Sequence, residues 1–181
     1  MKSISFESPL LPVIDSNNFE LLRVNDLTVS ITGTQIIDSV SFSLERGEIL
    51  GVVGANGSGK TTLIKAIAGL IKSDSGAFSV ERVDVSNLSH NDLARIISYM
   101  PQQVESHPFT AFEAVLMGRY PHLGRLQLEG TADREIAWSV MRRTGTEVFA
   151  DRRLDTLSGG ERQRVVLARV LAQQPQIFLM D

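Results

Sequence analysis

The segment Gly54-Ala55-Asn56-Gly57-Ser58-Gly59-Lys60-Thr61 limits what this chain can become more than any other. It fits the spacing G-x-x-x-x-G-K-[ST] and is flanked by two patterned stretches. Before it runs Ile49-Leu50-Gly51-Val52-Val53, a short continuous apolar stretch that predicts a buried, central parallel strand. After it, Leu63, Ile64, Ile67, Ala68 and Ile71 fall at helical spacing and predict an amphipathic helix ending near Gly69 to Ser75. Between a strand and a helix, Gly57 and Gly59 allow backbone shapes closed to other residues, so successive N–H groups turn inward and meet phosphate oxygens. The helix start adds the positive end of its dipole. Lys60 supplies a point charge for β and γ phosphates, the Thr61 hydroxyl a ligand for Mg²⁺, and Thr62 a contact for an α phosphate. Gly54, Asn56 and Ser58 complete the cradle. The competing reading is a glycine-rich surface turn with a solvated lysine, and the flanking strand and helix weigh against it.

Composition narrows the rest. The chain has 181 residues, 43% hydrophobic and 22% charged, enough for one α/β-sized core. Its 18 basic and 21 acidic residues leave a formal net charge of -3, which argues against coating nucleic acid or an anionic membrane. The absence of cysteine removes disulfide scaffolds, thiolate zinc sites and cysteine nucleophiles. The longest uncharged stretches, such as Ile49–Gly59, fall short of the roughly 18 apolar residues of a membrane span. Residues 1–20 lack the unbroken apolar segment of a signal peptide and read as a loose leader to the domain.

Along the chain, Leu27, Val29 and Ile31 alternate with polar neighbours, and Thr32-Gly33-Thr34 turns into Ile36-Ile37 and Val40–Leu44. This predicts antiparallel strands at a sheet edge. Ser89 with Asp92, and Thr110 with Glu113, have capping-box spacing and start two helices. Ile136, Ala137, Val140 and Met141 mark a fourth helix closed by Gly145, and Val165–Ala172 a fifth, mostly buried one stopped by Pro175. Ile177–Met180 reads as a second buried strand, ending in Asp181. Neither repeats nor heptads occur.

Asp181, closing an apolar strand, is placed to hold a Mg²⁺ shell from the side opposite Thr61, although such an acid is also a common strand end or helix cap. In Leu157-Ser158-Gly159-Gly160-Glu161-Arg162-Gln163-Arg164, a hydroxyl and two glycines open a buried helix. Physics alone allows an ordinary N-cap or a second anion site. Together, Gly54–Thr62, this segment and Ile177–Asp181 resemble, in that order, the motifs of the ATP-binding cassette family, with Glu161 where the LSGGQ-type signature usually has Gln. The family also has a glutamine after a strand and a proline, matched by Pro101-Gln102, with Gln103 the fallback one residue on. Ala111–Arg125 is similar to the helical stretch of importer ATPases for iron-siderophores, haem and cobalamin.

The resemblance covers about Leu21 to Asp181. It implies an α/β fold with a P-loop NTPase core, a mostly parallel sheet, an antiparallel β edge subdomain and a helical subdomain at about 103–165. Residues 21–181 would form an incomplete nucleotide-binding domain. Gln102 would contact Mg²⁺ and the attacking water, and ATP would lie between Gly54–Thr62 of one subunit and Ser158, Gly159, Gly160 and Glu161 of a second copy arranged head to tail. Partners would be separate transmembrane permease subunits and, indirectly, a substrate-binding protein. The subunit would sit peripherally on the cytoplasmic face of the membrane and power import of an iron chelate, haem or cobalamin.

Two departures stand out. The adenine-stacking aromatic of the family corresponds to Ile31, which has no ring face, and Tyr99 lies too near Gln102 to take that task. The family also places a general-base glutamate after the aspartate, whereas the sequence ends at Asp181. The expectation is a truncated ATPase, marginally stable and able at best to bind nucleotide. The alternatives are a soluble cassette ATPase acting on nucleic acid or ribosomes, and a non-catalytic nucleotide-binding regulator. The first is disfavoured by the lack of a long heptad insertion between Gln102 and Ser158 and by the acidic net charge. His90, His107 and His122 lack metal-ligand spacing and suit surface or capping roles. The pairs Arg142-Arg143 and Arg152-Arg153 suit solvated faces, Arg162 and Arg164 flank the signature helix, and Trp138 suits the core.

Overall fold

The computed structural model describes residues 20–103, 108–124 and 126–181. The expected leader, up to residue 19, together with His107 and Arg125, lies outside the described residues. The described residues form two compact units, one within residues 20–66 and 72–87, the other within 67–71 and 88–181.

The first unit is built on β1 (Glu20–Ile31) and β2 (Thr34–Glu45), an antiparallel pair joined at Thr32-Gly33 as the alternation predicts. The helix α1 (Lys60–Ile67) follows the glycine loop. β3 (Ser75–Val80) and β4 (Val83–Asp84) complete a four-stranded sheet in the order β2-β1-β3-β4. Its buried face carries Leu22, Val24, Leu27, Val29, Phe78 and Val80. Those of β1 break strict alternation because the ladder shifts register between Val24 and Leu27 and again before Val29.

In the second unit α2 (His90–Ile96) starts at Ser89, whose hydroxyl accepts from Asp92 N. It runs directly into β5 (Ile97–Met100), and α3 (Ala111–Leu116) starts at the full Thr110/Glu113 capping box. Pro121 lies in the 3₁₀ segment Met117–His122, which follows α3 without a break. α4 (Thr131–Thr144) ends at Gly145, whose φ of 63° gives the left-handed cap expected of a glycine there. α5 (Gly159–Ala172) is followed by β6 (Ile177–Met180), which pairs in parallel with β5. The connection between these two strands carries α3, α4 and α5, as a parallel crossover requires.

α5 is buried on two sides. Val165, Ala168 and Ala172 join the cluster of Ala111, Val115, Ala137 and Met141, while Val166 and Val170 pack with Met100 of β5. Trp138 is half-buried and stacks on Phe112, ring centroids 4.7 Å apart. The end of α5 is tied by Arg119, a buried cation that donates from Nη1 to Ala172 O (2.7 Å) and Gln174 Oε1 (2.9 Å) and from Nε to Asp133 Oδ1 (3.0 Å). His122 has the capping role expected of it: its Nε2 lies 2.8 Å from Gln173 O, and burial holds its pKa below the ordinary histidine value. His90, the first residue of α2, is exposed.

Two expected strands differ. Ile49–Val53, read as a buried central strand, joins no strand pairing among the described residues, and Ile49 and Val53 are 95% and 93% exposed. A continuous apolar run specifies that two faces need cover but not which strand supplies it, and among the described residues none is paired with it. β6 is present but only partly buried, with Met180 60% exposed; among the described residues it pairs along one edge only, with β5.

Removing Arg119 takes the cation from the Asp133 carboxylate and the donor from Ala172 O and Gln174 Oε1. Arg119→Ala should lower unfolding stability by about 3 kcal/mol in urea titration, and Arg119→Lys, which keeps the charge but not the fork, by less.

Candidate functional site

The glycine loop is organised around its own lysine. Lys60 is the first residue of α1, and its Nζ donates to Gly54 O (2.8 Å) and Ala55 O (2.7 Å), so two of the three ammonium donors close the loop. Ser58 N donates to Ala55 O (3.2 Å) and Leu63 N to Gly59 O (2.8 Å), which joins the turn to the helix. Gly57 and Gly59 have φ of 79° and 92°, as the cradle demands. They differ in surroundings. A Cβ at Gly57 would meet nothing, whereas one at Gly59 would stand 2.7 Å from Ile37 Cδ1 and 3.2 Å from Ile36 O. Gly54, Asn56, Gly57 and Ser58 are exposed, while Gly59, Lys60, Thr61 and Thr62 are partly buried. Ile31 ends β1 opposite Thr34 and is 39% exposed, offering apolar surface without a ring.

The remaining expected site residues belong to the second unit. Gln102 and Gln103 follow β5 and Pro101 and are both exposed. Asp181 follows β6; its N donates to Met100 O (3.1 Å), and its carboxylate Oδ2 accepts from Tyr99 Oη (3.1 Å). Burial raises the Tyr99 phenol above its ordinary pKa, and the hydrogen bond to Asp181 adds to the shift. Sequence spacing gave no sign of this contact, because the two residues are 82 apart.

Ser158 caps α5 with extended backbone (φ -62°, ψ 161°). Its hydroxyl accepts from Glu161 N (3.3 Å), and Glu161 Oε2 accepts from Ser158 N (2.7 Å), a reciprocal capping box. The two glycines between them are exposed. Arg152 approaches Glu161 Oε1 at 3.7 Å and donates to Thr156 O (3.0 Å), so this arginine braces the turn before the signature instead of only meeting water. Arg162 Nη2 donates to Leu157 O at 3.4 Å. Arg152 and Arg164 both lie 5.6 Å from the Phe149 ring centroid. Arg142 and Arg143 are exposed, as expected of a solvated pair.

Each unit carries oxygen donors of the kind Mg²⁺ accepts. A hydroxyl (Thr61), a carboxylate (Asp181) and an amide oxygen (Gln102) are hard oxygen ligands. Among the described residues no group of three or more His, Cys, Asp or Glu forms a cage. An ion held by few side chains and completed by phosphate and water is the usual Mg²⁺ arrangement.

Three expectations follow from this geometry. Gly57→Ala should cost about 1 kcal/mol of backbone strain, and Gly59→Ala more, because its Cβ also meets Ile36 and Ile37; melting and phosphate-ligand titration would rank them. Ser158→Ala should cost about 1 kcal/mol. The Glu161 carboxyl is held below its ordinary pKa, first by the Ser158 side chain, then by its backbone N–H. The folded state therefore binds this proton less readily than the unfolded chain. The cap is complete above the ordinary glutamate pKa and is lost as pH falls through the depressed folded value. Amide exchange in the first turn of α5 should show this loss of protection, and Glu161→Gln should remove it.

The family model for ABC transporters matches residues 37–181. The cobalamin import ATP-binding protein BtuD of Halobacterium salinarum is 44% identical over 161 residues, covering 88% of this chain and 40% of that protein. The manganese transport system ATP-binding protein MntB of Listeria innocua is 34% identical over 163 residues, covering 88% and 66%. The crystal structure of a nucleotide-free ATP-binding cassette from an ABC transporter superposes with a TM-score of 0.78 at 26% identity, over 90% of this chain and 68% of that one. The chain thus spans between two fifths and two thirds of the length of these two relatives. No helix among the described residues is long and apolar enough to cross a membrane. With a P-loop of this geometry, a capped signature helix and a family match over most of its length, the chain belongs to the ABC transporter family.

Proposed function

We propose that this protein binds ATP with Mg²⁺ and, as the motor subunit of an importer, couples ATP hydrolysis to uptake of a metal chelate, metal ion or corrinoid. The observation that carries the proposal is the glycine loop with Lys60 Nζ drawn over its own carbonyls at the start of α1. A β- or γ-phosphate oxygen has the charge to take over that ammonium, and the loop N–H groups have the geometry to hold the phosphate chain. In this reading Thr61, Gln102 and Asp181 hold Mg²⁺, which neutralises charge on the phosphates when bound. Gln102 orients the attacking water.

Ser158, Gly159 and Gly160 offer a hydroxyl and backbone N–H groups to the nucleotide of a second copy packed head to tail, with Glu161 keeping them in place through the cap. Residues 103–165 act as the helical subdomain that meets separate permease subunits at the membrane. A substrate-binding protein delivers cargo to those subunits. The name of the cobalamin relative supports import and that of the manganese relative supports transport; they differ in cargo, so the iron-chelate reading is one member of a wider class. A motor subunit does not touch the cargo, and its own residues carry no direct readout of it.

Lys60→Ala should weaken binding of a fluorescent ATP analogue by about tenfold to a hundredfold, the loss of a charge-assisted contact. Wild-type affinity in that variant would remove the P-loop assignment. Co-purification of membrane subunits with the wild-type protein, and failure of uptake in cells carrying only Lys60→Ala, would test the transport half.

A further inference from the structure

The Tyr99–Asp181 contact joins the ends of two strands that the chain brings together only through the long crossover. Tyr99 pairs with Leu179 in the β5–β6 ladder, and Met100 with Met180. Asp181 N continues that ladder by donating to Met100 O at 3.1 Å, which fixes its backbone one residue beyond β6. Side chains alternate along a strand, so Asp181 shares a sheet face with Leu179 and Tyr99, two positions beyond Tyr99's partner. That diagonal is too wide for a short side chain but within reach of an aromatic one. The Tyr99 hydroxyl closes it, donating to Asp181 Oδ2 at 3.1 Å.

We infer that Tyr99 is a positioning residue for Asp181: its hydroxyl holds one carboxylate oxygen so that the carboxylate keeps a fixed orientation toward the metal. The inference rests on the proposed role of Asp181 at Mg²⁺. A short carboxylate side chain has several staggered rotamers, and a metal ion that accepts only near-octahedral geometry benefits when one is selected in advance. Tyr99 itself touches neither metal nor nucleotide. It also stands two residues before Pro101-Gln102, so the same strand that orients the acid leads directly to the proposed water-sensing glutamine.

The test compares the affinity of the intact chain for a fluorescent ATP analogue in Mg²⁺ and in a chelator, with Mn²⁺ electron resonance reading the metal directly and no turnover needed. Tyr99→Phe removes only the hydroxyl. It should leave chelator affinity unchanged and cut the Mg²⁺-dependent gain by about threefold to tenfold, with a broadened Mn²⁺ signal. Asp181→Asn should lose most of that gain. Leu179→Ala, on the same face, should lower the melting temperature without changing the gain. If Tyr99→Phe keeps the full gain while Asp181→Asn loses it, the inference is overturned and the role of Asp181 stands. If Tyr99→Phe weakens both affinities in parallel, Tyr99 is a packing residue and the inference is again overturned. If Asp181→Asn keeps the parent's gain, the metal role of Asp181 falls and the tyrosine's role with it.

Discussion

Burial of α5 on two sides is the constraint on which the second unit depends. A helix with one apolar stripe can slide or roll on its neighbour at small cost. This helix cannot, because Val165, Ala168 and Ala172 are committed to α3 and α4 while Val166 and Val170 are committed to β5. Both ends of α5 inherit that fixity. The N-terminal end presents Ser158 and the two glycines behind a capping box braced by Arg152. The C-terminal end is held by Arg119 and His122 and delivers the chain into β6 and Asp181. One rigid rod therefore carries the signature at one end and, through a short turn, the proposed metal-binding acid at the other.

The side chains that secure the turn after α5 show how this is done without apolar contacts. Gln173 donates from its amide to the carbonyls of Ala94 and Ile97 and accepts from His122 at its own carbonyl. Arg95 donates to Pro121 O at 2.5 Å. Main-chain carbonyls near the ends of α2, the 3₁₀ segment and α5 thus accept from Gln173, from Arg95, and from Arg119 and His122 in turn, which ties the three elements together.

Local chemistry was legible in the sequence wherever a few adjacent residues decide the outcome. The Thr110/Glu113 box, the Ser158 N-cap, the Gly145 stop and the Thr32-Gly33 turn each depend on side chains within four positions, and each is found where the pattern put it, with the Glu161 half of the Ser158 box added by the structure. Non-local features were not. Ile49–Val53 has the composition of a central strand, but composition does not name its neighbours, and the run is exposed. β3 went unseen because Ser75-Gly76-Ala77 shows no alternation and pairs with β1 from across the unit. In the candidate site the glycine loop was readable for the same local reason. The Tyr99–Asp181 contact was not, since it exists only once the β5–β6 register is set. Arg152 looked like half of a solvated pair because its partners, Thr156 and Glu161, are reached by a fold of the chain.

The self-bonded lysine of the glycine loop has a kinetic corollary. An ammonium already satisfied by two backbone oxygens is held in one place, so on the proposed reading an arriving triphosphate would meet a charge at a known position. It must also displace those oxygens, and the net gain is the difference between two sets of bonds. Under the proposed function such an exchange would trade tightness for reversibility, because the two carbonyls that hold the ammonium here would take it back when a nucleotide leaves.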